Sequence, residues 1–269
     1  MKRQFLGRLL LCFSATSFLL SCQKDMSNKN ELQLSSSNER SKTDQAQKYN
    51  TFYGHQVQLG DGKVRTFVTI SRTGVPAEIG IEMTEGALQG LGEETIQLSF
   101  PFHKKAGEVT PFEHVLVDWN PHGHEPFFYE HPHFDFHFYT IGETERMAIS
   151  AVSPLMEQLP PLQYWPAGFV PTPGGVPQMG KHWVNPASPE ISGGQLFTHT
   201  MIYGSYASKF IFVEPMITRS FLLSGQAVSV PFGQPAQFMN SNTHHPTKYN
   251  IYKKDGKYYI TLSDFVFRS

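Results

Sequence analysis

Apolar and polar residues along this chain alternate with a period of two in short runs, and no long stretch keeps a helical period. The clearest run is His131-Pro132-His133-Phe134-Asp135-Phe136-His137-Phe138-Tyr139. Read as a strand over His133 to Tyr139, it sends Phe134, Phe136 and Phe138 to one face and the imidazoles with Asp135 to the other. His55 to Leu59 and Val64 to Ile70 flank Gly60-Asp61-Gly62, a hairpin signal. Further strands are expected at Ile79–Met83, Val115–Asp118, Phe197–Tyr203, Lys209–Val213, Val228–Pro231, Tyr249–Tyr252 and Tyr258–Leu262. Gly204-Ser205 and Lys254-Asp255-Gly256 are read as turns. Short helices are expected at Glu85–Leu91, within Gly142–Ile149, and from about Ile217 to Leu222. Pro160 to Pro189, rich in Pro and Gly, reads as a long ordered loop, a functional element or an oligomer contact. The expected fold is mainly β, an antiparallel sandwich or barrel with a few short helices.

The N-terminus breaks this pattern. Lys2, Arg3 and Arg8 precede a largely apolar run, Leu9 to Leu20, which is too short to span a bilayer and ends at Ser21-Cys22. Leu19-Leu20-Ser21-Cys22 resembles a bacterial lipobox. Residues 1–21 are then a lipoprotein signal peptide, with Cys22 the lipidated first residue that anchors the chain to membrane lipid. Gln23-Lys24-Asp25 resembles an export signal of surface lipoproteins, which places the body in the cell envelope, at the outer membrane. Residues 22–50 are too polar to bury a core and read as a tether. Residues 51–269 form one β-rich domain of about 220 residues.

Composition narrows the chemistry. The only cysteines are Cys12 and Cys22, so the body has no disulfide, thiolate nucleophile or cysteine metal site. Without Lys2, Arg3 and Arg8, 19 basic residues stand against 23 acidic ones, and no basic patch appears for nucleic acid. No Gly-x-Ser-x-Gly elbow, phosphate loop or dinucleotide fingerprint is present.

Half of the 12 histidines lie between His114 and His137. Imidazole and carboxylate on one strand face suit a transition metal, zinc or iron. The candidate ligands are His133, Asp135 and His137 with His182 or Glu214, and His122, His124 and His199 as alternatives. His133 and His137 are about 13 Å apart along an extended strand, too far for one metal unless the strand bulges. Neighbours two apart, at about 7 Å, converge more easily. The same residues also suit a buried hydrogen-bond network or a metal-free pocket for a small ligand. His55, His103 and His114 are read as surface or edge residues, and His244-His245 as exposed loop. Glu214-Pro215 ends a strand as ligand, turn or helix cap. Trp119, Trp165 and Trp183 with Tyr164 suit a core, or sugar stacking in a carbohydrate-handling lipoprotein.

Asp118-Trp119-Asn120-Pro121-His122-Gly123-His124-Glu125-Pro126, the His131–Tyr139 run, Tyr203-Gly204-Ser205-Tyr206 and Glu214-Pro215-Met216-Ile217-Thr218 together resemble an uncharacterised bacterial family. It is a domain of unknown function typified by a thermophile protein under extracytoplasmic sigma-factor control. The resemblance covers Phe52 to Arg268 and implies a β-rich, exported or envelope-associated homo-oligomer. It brings no reaction and no catalytic residue. A non-enzymatic envelope or stress-related binding protein therefore stands beside the metal reading.

Overall fold

A computed structural model describes residues 48–269. The expected signal peptide, Cys22 and the expected tether up to residue 47 lie outside the described residues. The strands are β1 (Tyr49–Leu59), β2 (Gly62–Ser71), β3 (Pro76–Thr84), β4 (Ile96–Pro101), β5 (His114–Asn120), β6 (His133–Tyr139), β7 (Val170–Pro171) and β8 (Lys181–Val184). Then follow β9 (His199–Tyr206), β10 (Lys209–Thr218), β11 (Val228–Pro231), β12 (Thr243–His245), β13 (Lys248–Lys254), β14 (Lys257–Ser263) and β15 (Val266–Arg268). The α-helices are short: α1 (Glu143–Met147), α2 (Pro189–Ser192) and α3 (Arg219–Ser224). None is long and apolar enough to cross a membrane.

Strands pair antiparallel in a six-stranded sheet, β1-β2-β3-β14-β13-β11, and a seven-stranded sheet, β4-β5-β6-β10-β9-β8-β7, with β12-β15 as a small pair. The architecture is a β-sandwich. Its main core joins Val68, Ile79, Ile81, Met83, Ile260 and Leu262 of the smaller sheet to Val115, Val117, Phe134, Phe136, Phe138, Trp183 and Ile217 of the larger.

The period-two reading of β6 holds to the residue: it runs His133–Tyr139, and all seven side chains are buried. Its Phe face enters the sandwich core. Its His face would meet water in a bare sheet, but loops cover it with two smaller apolar clusters. One contains Leu116, Tyr139, Ile149, Met156 and Phe212, the other Tyr129, Phe197, Ile202 and Met216. Side chains alternate along β10 as Phe212, Glu214, Met216, so Glu214 lies between the two clusters, and the polar residues form a seam there.

Several expectations are corrected. Gly204-Ser205 is not a turn but lies inside β9, and the hairpin turns at Ala207 and Ser208, both with positive φ. Glycine is needed at 204 for space, because a Cβ there would stand 2.0 Å from a ring carbon of Phe212. Glu214 ends no strand and caps no helix; β10 continues through Pro215, and Thr218 caps α3 by accepting from the Phe221 N–H at 3.2 Å. Pro160–Pro189 contains β7 and β8, which extend the larger sheet, so it is not one loop. Glu85–Leu88 makes a single 3-10 turn. His114 is no surface residue: it is 3% exposed, with its ring stacked 4.8 Å from Tyr139. His244 and His245 form β12 against β15 and are half-buried. Trp119 and Trp183 are buried in the core and offer no face to a sugar.

Candidate metal centre

Three adjacent strands supply the seam. Across β5 and β6, Asp118 stands opposite Asp135 and Asn120 opposite His133. Between β6 and β10, Val213 pairs with Phe138 and Met216 with Asp135, so the same register puts Glu214 across from His137. On the far side of β9, His182 of β8 pairs with Gly204, whose missing side chain leaves room for Phe212 and lets His182 approach Glu214.

These side chains fall into two sets. In the outer set His133 Nε2 is 3.1 Å from Asp135 Oδ1, and His124 Nε2 is 3.6 Å from Asp135 Oδ2. In the inner set His137 Nε2 is 3.3 Å and His182 Nε2 3.7 Å from Glu214 Oε2. Within each set the ligand atoms lie within 4.8 Å of one another. Tetrahedral zinc with bonds of about 2.0–2.1 Å sets its ligand atoms about 3.4 Å apart, so small side-chain rotations suffice in either set. Each set is two histidines and one carboxylate, a donor group that binds zinc or iron.

The outer set has its tautomers fixed. His133 Nδ1 donates to the His131 carbonyl at 2.7 Å, and His124 Nδ1 to the Glu125 carbonyl at 2.8 Å. Both Nε2 atoms therefore turn toward Asp135, whose Oδ2 also accepts from Asn120 Nδ2 at 2.7 Å. His124 reaches this position because the chain folds back after β5 at Gly123. That glycine has φ of +70°, and a side chain there would collide with the Tyr129 carbonyl. Burial opposes charge on His124, but facing Asp135 raises its pKa above the usual imidazole value. Burial works against Asp135 as well, yet the imidazoles of His124 and His133 hold its carboxyl low.

The inner set is buried more deeply. Burial lowers His137 to about 3 and His182 to about 4, and pushes Glu214 well above the carboxylate range. Asp118, 3.4 Å from His137 Nδ1 through Oδ2, is raised to about 8 by burial and by Asp135. Both ring nitrogens of His137, both oxygens of Asp118 and Glu214 Oε2 are buried without an aligned hydrogen bond. Such atoms cost free energy unless a proton or a cation satisfies them.

No protein-family model, curated protein or solved structure matches this chain. The site is therefore read from its own geometry. His133, Asp135, His137, His182 and Glu214 all lie in the seam, but His133 and His137 fall in different sets, as the strand rise requires. His124 joins His133 and Asp135. His122 does not: it is exposed, with Nε2 3.6 Å from Glu93. His199 faces the other way, into the sandwich, where its Nδ1 bonds the Tyr249 hydroxyl at 2.8 Å. Asp118 and Asn120 were missed, although Asp118-Trp119-Asn120 places two polar residues at alternate positions of an apolar strand.

Proposed function

We propose that this chain is an exported, lipid-anchored metalloprotein of the bacterial cell envelope, binding zinc or iron through His124, His133 and Asp135. The observation that carries this reading is the pair of Nδ1 anchors, which aim two Nε2 atoms at one carboxylate. Main-chain acceptors behind metal-bound imidazoles serve this purpose in metal sites. The side chain of His124 is 42% exposed while His133 is fully buried, so solvent reaches the set from the His124 side. Three protein ligands leave a position for water or a small oxygen ligand, the arrangement of metal-assisted hydrolysis and of oxygen chemistry. Cys22 and the apolar run before it support export and anchoring, in keeping with the family resemblance.

Elemental mass spectrometry on the untagged body tests the reading. Bound transition metal at one equivalent or more is expected, with one equivalent lost in His133→Ala while the fold is retained. Protein that stays metal-free after soaking in zinc and in ferrous iron would overturn it and leave a buried hydrogen-bond network.

A second reading concerns assembly. Val152, Leu155, Leu159, Leu162, Val170 and Val176 are exposed within one stretch of 25 residues, with Leu162 at 74%. Apolar exposure of this kind suits contact with a second copy of the chain. Leu162→Glu is expected to lower the mass seen by light scattering, and an unchanged mass would remove this reading.

A further inference from the structure

The outer set alone leaves much of the seam unexplained. Behind it lie His137, His182, Glu214 and Asp118, of which His137, Glu214 and Asp118 are at most 2% exposed. Among the described residues, no lysine or arginine forms an ion pair with Asp118, Asp135 or Glu214; their partners are histidines, and Arg146, whose charge acts on Asp118 from farther off, pairs with Glu143.

We infer that the seam is a two-metal centre, in which His137, His182 and Glu214 hold an inner cation and Asp118 positions His137. The inference rests on the metal reading of the outer set and extends it. Geometry supplies the support. Glu214 Oε2 is approached by two Nε2 atoms at 3.3 and 3.7 Å, and neither approach is aligned as a hydrogen bond. Those separations bracket the edge of a zinc tetrahedron, about 3.4 Å. Asp118 Oδ2 lies 3.4 Å from the opposite nitrogen of His137, the place of the carboxylate in a carboxylate–histidine–metal relay. Asp118 also pairs across strands with Asp135 of the outer set, so one side chain stands between the two sets. The sets meet β6 at successive positions of its His face, Asp135 and His137, about 7 Å apart at the backbone.

Cobalt titration of the chelated full chain tests this, read by the d–d absorption of bound Co²⁺ and by equilibrium dialysis. The wild type is expected to saturate at two equivalents, His182→Ala and His133→Ala at one each, and the double variant at none. Glu214→Gln, nearly isosteric, should repeat the His182→Ala result and guards against a variant that fails to fold. Asp118→Asn should weaken the inner equivalent by about 10–100-fold and leave the outer one unchanged. Saturation at one equivalent that survives in His182→Ala and Glu214→Gln overturns the two-metal inference and leaves the outer site standing. One equivalent lost in His182→Ala but kept in His133→Ala overturns the two-metal inference and also the assignment to the outer set. No binding at all overturns both.

Discussion

Gly204→Ala separates two physical arguments by the sign of its effect. On intrinsic preference alone, replacing a strand glycine by alanine should stabilise by about 0.5–1 kcal/mol. The structure demands the opposite. An added Cβ would lie 2.0 Å from Cε1 and 2.1 Å from Cζ of Phe212, whereas carbon atoms settle about 3.5–4.0 Å apart. The ring must retreat by about 1.5 Å to restore that contact. It has nowhere to go: it is 1% exposed, with centroids of His137 at 4.9 Å, Tyr139 at 5.1 Å and His182 at 5.6 Å. Overpacking of this kind costs about 1–3 kcal/mol. A net loss of about 2 kcal/mol lowers the Tm of a domain this size by about 4–8 °C. Calorimetry with urea unfolding measures it. In a Phe212→Leu background the cost of Gly204→Ala should shrink toward zero, which a double-mutant cycle isolates. Displacing His137 and His182 should also weaken the inner cobalt equivalent. A Tm that rises or stays level would refute the steric argument, and with it the claim that Gly204 sets the approach of β8.

In chelated protein, stability should peak near pH 6.5. Below that, unfolded histidines take up protons that His114, lowered to about 4, and likewise His137 and His182 refuse in the fold; the three outnumber Asp118 and Glu214, so stability rises with pH. Above it, Asp118, raised to about 8, stays protonated in the fold while the unfolded chain ionises it, so stability falls with pH. A steady rise from pH 5 to 8 in urea midpoints would contradict this. Lys181, 3% exposed, donates to Glu157 Oε1 at 3.1 Å and to the carbonyls of Thr172 at 3.2 Å and Gly174 at 2.8 Å. Lys181→Met should cost about 2–3 kcal/mol by leaving those carbonyls unpaired, and a change below about 0.5 kcal/mol would show that they find water instead. Thr218→Ala should cost about 1 kcal/mol in denaturant unfolding, and Thr218→Ser should recover most of it. His122→Ala should leave cobalt stoichiometry unchanged, since its imidazole lies outside both sets.

Local signals were legible where they repeat with the strand period or carry a turn residue. The Phe and His alternation located β6 to the residue, and Gly60-Asp61-Gly62 located the β1–β2 hairpin. The strand rise alone separated His133 from His137. Other features depend on partners far along the chain. Gly204 carries a turn residue's identity but answers to the Phe212 ring, while the actual turn uses Ala207 and Ser208, neither of them a residue that favours positive φ. The partnership of His137 with His182 needs β8 placed against β9, and β8 is only four residues long inside a Pro- and Gly-rich stretch. Asp118 looked like the end of an apolar strand until pairing with β6 brought it beside His137.

Burying His133 and His137 with three carboxylates is expensive, and apolar residues of similar size would stabilise the same sheet better. The chain surrounds the seam with just such residues, since Phe212 and Met216 flank Glu214, and Leu116 lies two positions from Asp118. The polar groups are thus concentrated at one place rather than scattered. β6 supplies His133 and Asp135 to the outer set and His137 to the inner one from a strand that is buried on both faces and paired on both edges. Its backbone cannot shift without repacking Phe134, Phe136 and Phe138 in the sandwich core, so the spacing of Asp135 and His137 is fixed before any ligand arrives. A hydrogen-bond network tolerates variation in spacing, because rotamers and water absorb it. Metal coordination does not, and a preset spacing is what lowers the cost of binding a cation.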